Sequence, residues 1–175
     1  LPVTGIGQSA FYECEELTRV TVPEGVTTIE DTAFSGCTKL KSVSLPNTLT
    51  AVGNRIFSEC KELSYTAYDN ASYLGNEKNP YAVLLQYASK DITDCQIHPD
   101  TKVIAGSAFE WCKNLTSLTI PKGVVGIGDY AFYYCDQLAS VTIPDSVVKI
   151  GYSAFRDCTG LTDAYITGVE NWCKV

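Results

Sequence analysis

Apolar positions along this chain recur in a fixed order, at a spacing that neither a single helix nor a single strand produces. Leu17, Val20 and Val22 are followed by Pro23, then by Val26 and Ile29, then by Ala33, Phe34 and Cys37. The order returns 23 residues later, from Leu40 to Cys60, and again from Leu115, from Leu138 and, shortened, from Leu161. Written out, the unit is A-F-x-x-C-x-x-L-x-x-V-x-V-P-x-x-V-x-x-I-G, and its fixed places are apolar residues or chain punctuation.

Within the unit, L-x-x-V-x-V alternates as a short strand does, with Val20 and Val22 on one side and Arg19 and Thr21 on the other. Proline supplies no N–H to a ladder, so Pro23 predicts the end of pairing and a turn. Val26 and Ile29 then return along the core, and glycine permits the next bend. One such coil cannot hold itself together. Each buried apolar side chain contributes roughly 1.5–3 kcal/mol, while ordering each residue's backbone costs about 1–2 kcal/mol, so the coils must stack. A period of this length with L-x-x-L-x-L spacing predicts a right-handed leucine-rich-repeat solenoid, with one short parallel strand per coil. Phe11, Phe34, Phe57, Phe109, Phe132 and Phe155 are expected to stack inside it.

Strand positions follow as Val20, Val43, Thr66, Cys95, Leu118, Val141 and Ala164, in steps of 23, 23, 29, 23, 23 and 23. Seven coils are therefore expected, the fourth carrying six extra residues. That coil, near 69–91, reads DNASYLGNEKNPYAVLLQYASKD and loses A-F-x-x-C. The turn-forming GNEKNP between SYL and YAVLL predicts a β-hairpin bulging from one unbroken solenoid over 1–175. Its tip, Gly75 to Asn79, is expected to project into solvent. Tyr81 is expected on the ladder of Ile104 and Ile127, and Leu85 at the alanine of A-F-x-x-C.

The first residues, LPVTG, match the pattern that sortases read, but that signal needs a following apolar span and basic tail. Here Val3 falls in register with Val26 and Val124, and Ile6 with Ile29 and Ile127, so the stretch reads as a ragged first coil.

Composition narrows function. The chain has 175 residues, 45% apolar and 19% charged, which is ordinary for a folded domain. No run approaches the ~18 apolar residues of a membrane helix. Methionine is absent, so the chain is expected to be a piece of a larger protein. A net charge of -7 with no Lys/Arg cluster argues against nucleic acid and anionic membranes as partners.

Candidate chemistry is sparse. Cys14, Cys37, Cys60, Cys112, Cys135 and Cys158 occupy one place in successive coils, without the close Cys pairs that zinc requires. Stacked strands lie ~4.8 Å apart, a spacing that permits disulfides. Equivalent side chains point in parallel, however, so buried free thiols are expected. His98, the single histidine, stands in the proline slot and reads as a turn residue. GVVGIGD from Gly123 lacks the strand–helix setting of a dinucleotide loop. Asn70 and Asn114 head N-x-[ST] triplets, and Glu15 and Glu16 fit a solvated edge. No catalytic constellation, cofactor site or metal site is expected.

The outward columns carry mostly small hydroxyls, with tyrosines spaced among them. Tyr65, Gln96, Thr119, Thr142 and Tyr165 are candidates for an interaction surface, together with Asn76, Glu77 and Lys78 of the inserted tip. Tyr12, Trp111, Tyr133, Tyr134 and Tyr152 form a second aromatic set beside the core phenylalanines, and such residues are enriched at interfaces.

The AFxxCxxLxxVxxP units resemble the BspA-type leucine-rich repeats of bacterial surface proteins over nearly the whole chain. YLGNEKNPY and AYITGVENW are similar to segments found with such repeats in gut bacteria. The resemblance implies a secreted or surface-displayed protein whose repeats engage host proteins or other cells, in several cases as adhesins. The expected function is a monomeric, non-catalytic module binding an unknown protein or glycan, with a passive spacer as the alternative.

Overall fold

The computed structural model describes residues 2–87 and 89–167. Each 23-residue unit lays down two short strands around a bend. The L-x-x-V-x-V stretches give β2 (Arg19–Thr21), β4 (Ser42–Ser44), β6 (Thr66–Tyr68), β10 (Ser117–Thr119), β12 (Ser140–Ile143) and β14 (Asp163–Ile166). The V-x-x-I stretches give β1 (Gly5–Ile6), β3 (Thr28–Ile29), β5 (Ala51–Val52), β9 (Val103–Ile104), β11 (Gly126–Ile127) and β13 (Lys149–Ile150). Two further strands, β7 (Ala71–Leu74) and β8 (Val83–Tyr87), belong to the irregular coil. The Cys95 stretch, predicted as a strand position, forms no strand, although the Thr116 N–H still donates to the Thr93 carbonyl at 3.0 Å.

Pairing between regular coils is parallel and one period apart. Arg19 faces Ser42 and Thr21 faces Ser44, while Thr119, Thr142 and Tyr165 lie in one row. Three of the proline turns close the same way. The Val26, Val124 and Val147 N–H groups donate to the carbonyls of Pro23, Pro121 and Pro144 at 3.3, 3.0 and 3.1 Å. In the proline slot of its own coil, His98 accepts from the Thr101 N–H at 3.0 Å, as expected of a turn residue.

The A-F-x-x-C segment is a pair of tight turns whose alternate N–H groups reach the next coil. Phe34 donates to the Ile56 carbonyl at 2.9 Å, and Phe132 to that of Ala154 at 2.8 Å. The rings stack in consequence, with centroids 5.0 Å apart for Phe11 and Phe34 and 4.9 Å for Phe109 and Phe132. Cysteine suits its place because its thiol is compact and apolar yet can donate. The thiols of Cys37, Cys60, Cys135 and Cys158 donate to the carbonyls of Phe11, Phe34, Phe109 and Phe132, at 3.0 to 3.3 Å. All seven described cysteines are free. Two expectations fail at the first coil: Phe11 is 42% exposed although it stacks on Phe34, and Cys14 is exposed rather than buried.

The fourth coil is more than a bulge. Asp69 and Asn70 both take positive φ, 43° and 60°, and turn β6 back into β7. β7 pairs antiparallel with β8, as the hairpin reading predicts, and β8 then joins β9 in parallel. This gives a six-stranded sheet, β13-β11-β9-β8-β7-β6, across the middle of the molecule. Buried apolar residues stand on both of its faces, and the strand alternation of period two divides them. Tyr73 and Leu84 enter a core with Phe109 and Phe132, whereas Leu74 and Val83 enter a separate core with Phe34 and Phe57.

The insertion is thus a partition between an N-terminal block of coils and a C-terminal one. The phenylalanine stack breaks there, and Tyr87 begins the second stack 4.9 Å from Phe109. The register also differs from expectation, because β-strand pairing rather than the period sets it. Leu84, not Tyr81, faces Ile104, and Leu85 is half-buried beside the N-terminal core.

The blocks meet through their second-strand ladders. The Gly106 N–H donates to the Val52 carbonyl at 2.9 Å, and Val125 packs against the N-terminal core. From this junction the ladders diverge around a cleft lined by Gln8, Thr28 and Glu30 on one side and Gly128, Lys149 and Gly151 on the other.

Candidate interaction surface

The inserted tip bends over the strand face of the N-terminal block. Asn76 sits at a tight reversal in which its N–H and that of Asn79 exchange bonds with each other's carbonyls at 3.0 and 3.2 Å. The Asn76 side-chain amide donates to the Leu45 carbonyl at 2.9 Å, and the Leu45 N–H donates to the Gly75 carbonyl at 2.8 Å. The Asn79 amide reaches the Asp100 carbonyl at 2.9 Å and Asn47 Oδ1 at 3.3 Å. Only Glu77 and Lys78 of the tip stand fully in solvent. The freely projecting tip of the sequence reading is therefore tied down by two asparagines.

Between tip and strands lies a groove of about 810 Å³, floored by Arg19, Thr21, Ser42 and Ser44 and walled by Lys41, Asn47, Asn76, Glu77 and Lys78. Parallel pairing makes the floor regular, because it brings the outward residue of each coil beside its equivalent. Thr21, Ser42 and Ser44 give neutral polar contacts there, Arg19 adds one charge to the floor, and the other charges stand at the rim.

Of the sequence-predicted residues, Asn76, Glu77 and Lys78 line this groove. Thr119, Thr142 and Tyr165 share one row on the C-terminal block, with Tyr165 58% exposed. Gln96 is exposed, and its N–H donates to Asp69 Oδ2 at 2.6 Å. Tyr65 is elsewhere, in the gap between the third coil and Glu110 of the fifth, where burial first and the nearby Cys60 second push its hydroxyl up to about 12. The predicted set is therefore divided between the groove, the C-terminal row and the gap, with Gln96 apart beside Asp69.

Of the second aromatic set, Trp111, Tyr133, Tyr134 and Tyr152 condense into one cluster on the C-terminal block, whereas Tyr12 stands apart and exposed in the first coil. Trp111 stacks on Tyr134 with centroids 4.2 Å apart, Lys113 lies 5.0 Å over the Trp111 ring, and Tyr130 joins Tyr133 and Tyr152 edge to face. Trp111, Tyr130 and Tyr134 occupy left-handed φ of 66°, 56° and 57°, a region costly for bulky side chains. The equivalent N-terminal positions carry Glu13, Thr32 and Gly36, which shows that the turns do not require aromatics. Tyr130 adds to the set, and its repeat column gives no signal for it, because the other coils carry Ser9, Thr32, Arg55, Ser107 and Ser153 there.

His98 is caged rather than catalytic in setting. Its ring stacks on Tyr81 at 3.6 Å and meets Tyr68 edge-on at 4.8 Å, and its Nδ1 accepts from the Asp100 N–H at 3.2 Å. Among the described residues no group of three or more His, Cys, Asp or Glu side chains could hold a metal ion, and no helix is long and apolar enough to cross a membrane.

Several solved structures of bacterial leucine-rich repeat proteins are similar to the chain. A leucine-rich repeat protein from Eubacterium ventriosum is 26% identical with a TM-score of 0.52, over 93% of this chain and 57% of that one. The leucine rich repeat protein of T. pallidum is 28% identical with a TM-score of 0.42, over 94% and 64%. A leucine rich cell surface protein from Faecalibacterium prausnitzii is 27% identical with a TM-score of 0.40, over the same shares. The chain thus spans less than two thirds of each of these proteins. No curated protein matches it. Six copies of the BspA type leucine rich repeat region match residues 3–78 and 85–172, and the chain belongs to that family.

Proposed function

We propose that the chain is a non-catalytic binding module of a bacterial cell-surface or secreted protein, and that it recognises a protein or glycan through the groove between the inserted tip and the N-terminal strand face. The observation that carries this reading is the groove itself. A floor of hydroxyls and Arg19 is closed on one side by the inserted tip, and a concave site with few placed polar groups is the usual form of a recognition surface. The association of these repeats with bacterial surface proteins supports the location, and the chemistry of the floor supports a polar partner.

The test is binding of purified protein to arrays of extracellular-matrix proteins and of glycans, for wild type and for Glu77→Ala/Lys78→Ala and Ser42→Arg variants. The expected result is retention of at least one array ligand by wild type and its loss in both variants at unchanged melting temperature. Retention of that ligand by both variants would remove the groove from recognition, and the absence of any ligand would favour the spacer role.

A further inference from the structure

Among the described residues the A-F-x-x-C edge of the stack lacks one rung. Between neighbouring regular coils this edge is closed by N–H groups of alternate residues. Thr32, Phe34 and Gly36 donate to the carbonyls of Asn54, Ile56 and Ser58 at 3.0, 2.9 and 2.8 Å. Ser107, Phe109 and Trp111 do the same to Asp129, Ala131 and Tyr133 at 3.0, 2.7 and 2.8 Å. The next donors of the N-terminal block, the N–H groups of Arg55, Phe57 and Glu59, have no acceptor among the described residues. Across from them, the carbonyls of Gly106 and Glu110 hold the places of Asp129 and Tyr133 but receive no donor among the described residues. The cause is the irregular coil. Its β8 runs along the partition, and among the described residues only its Tyr87 N–H reaches this edge, donating to the Ala108 carbonyl at 3.2 Å.

What remains is a gap of about 510 Å³ with Arg55, Phe57 and Glu59 on one wall and Gly106 and Glu110 on the other. That volume lies within the roughly 300–1,000 Å³ of ligand sites. Backbone groups left unpaired beside apolar surface favour any chain that can pair with them, which is the basis of recognition by strand addition. Charge selects among such chains. Lys61 pairs with Glu59 at 3.9 Å, while Arg55 and Lys90 at the rim have no carboxylate partner among the described ion pairs. Against the one carboxylate of the opposite wall outside those pairs, Glu110, these two cations leave the gap net positive on a chain of net charge -7.

We propose that the gap is a docking site for a linear acidic peptide segment of a partner protein, which supplies the missing rung. Its carbonyls accept from Arg55, Phe57 and Glu59, its N–H groups donate to Gly106 and Glu110, and its carboxylates meet Arg55 and Lys90. The site shares no residue with the groove beneath the inserted tip, so either can fail without the other.

Hydrogen exchange of individual amides, followed by NMR on the whole chain, tests this. In the free protein the Phe57 and Glu59 amides should exchange about 10-fold or more faster than those of Phe34 and Gly36. Millimolar addition of acetylated hexapeptides carrying two or three aspartates should slow them, and lysine counterparts should not. The Arg55→Glu/Lys90→Glu variant should lose this protection while keeping its melting temperature. Equal protection of Phe57 and Phe34 in the free protein would overturn the proposal. So would slowing by acidic and basic hexapeptides alike, slowing by none of them, or equal slowing by acetate or inorganic phosphate alone.

Discussion

Gly126 has no room for a side chain, because a Cβ there would overlap the carbonyl oxygen of Thr50. The two residues lie in different blocks, and their approach is where the N-terminal ladder crosses the C-terminal one. A glycine that reads as loop punctuation within the repeat is therefore a contact point between halves of the molecule.

Gly126→Ala should consequently destabilise the protein by about 1–3 kcal/mol, the usual cost of overpacking where backbone must yield. Gly7 supplies the control, since a Cβ there would meet nothing nearer than a Glu30 carboxylate oxygen at 4.0 Å. Gly7→Ala should stay within about 0.5 kcal/mol of wild type. Urea unfolding of both variants decides the matter, and equal stabilities would mean that the blocks separate without cost.

The stacked phenylalanines should not be equivalent. Phe132 is fully buried between Phe109 and Phe155, with centroids 4.9 Å from each, so Phe132→Ala should cost about 3–5 kcal/mol. Phe11 is 42% exposed in the first coil, and Phe11→Ala should cost below about 1.5 kcal/mol. Chemical denaturation measures both, and comparable losses would contradict the exposure of the first coil.

Adjacent residues of β8 should report on different blocks. Val83 and Leu84 are both fully buried, but they enter the N-terminal and C-terminal cores respectively. Val83→Ala should raise amide exchange first in the N-terminal coils, and Leu84→Ala, at a cost of about 2–5 kcal/mol, first in the C-terminal coils. Identical exchange maps would show that the partition transmits every defect to both sides.

Stability should fall in alkali. Burial pushes the Cys60 thiol up to about 11 and the Cys95 thiol to about 12, and it likewise raises the Tyr73 hydroxyl to about 12. The unfolded chain releases these protons first, from thiols near pH 9 and hydroxyls near pH 10. The folded state therefore holds more protons over that window, and its stability, full below about pH 8.5, declines as pH rises toward 12. Urea midpoints at pH 8, 9 and 10 should decrease in order. In the same native samples Cys14 should react with a thiol reagent before the buried Cys37, Cys112 and Cys135. Midpoints independent of pH would show that these groups are solvated.

The sequence by itself determined the repeating part of this protein. Leu, Val, Pro, Ile, Phe and Cys recur at 23 residues because each holds one place in a coil whose neighbours are copies of it, so a local pattern carries the stacking. The buried free thiols, the turn at His98 and the antiparallel hairpin followed from the same local chemistry. The tertiary structure decided what the period could not carry. Register in the irregular coil is set by β8 pairing with β9, which places Leu84 rather than Tyr81 opposite Ile104. The division into two cores depends on both faces of one sheet being covered, and a strand apolar on both faces reads the same whether it lies in a stack or between two. The groove under Asn76 and the gap beside Phe57 arise from where the insertion bends and what it leaves unpaired, and those are relations between residues far apart in the chain.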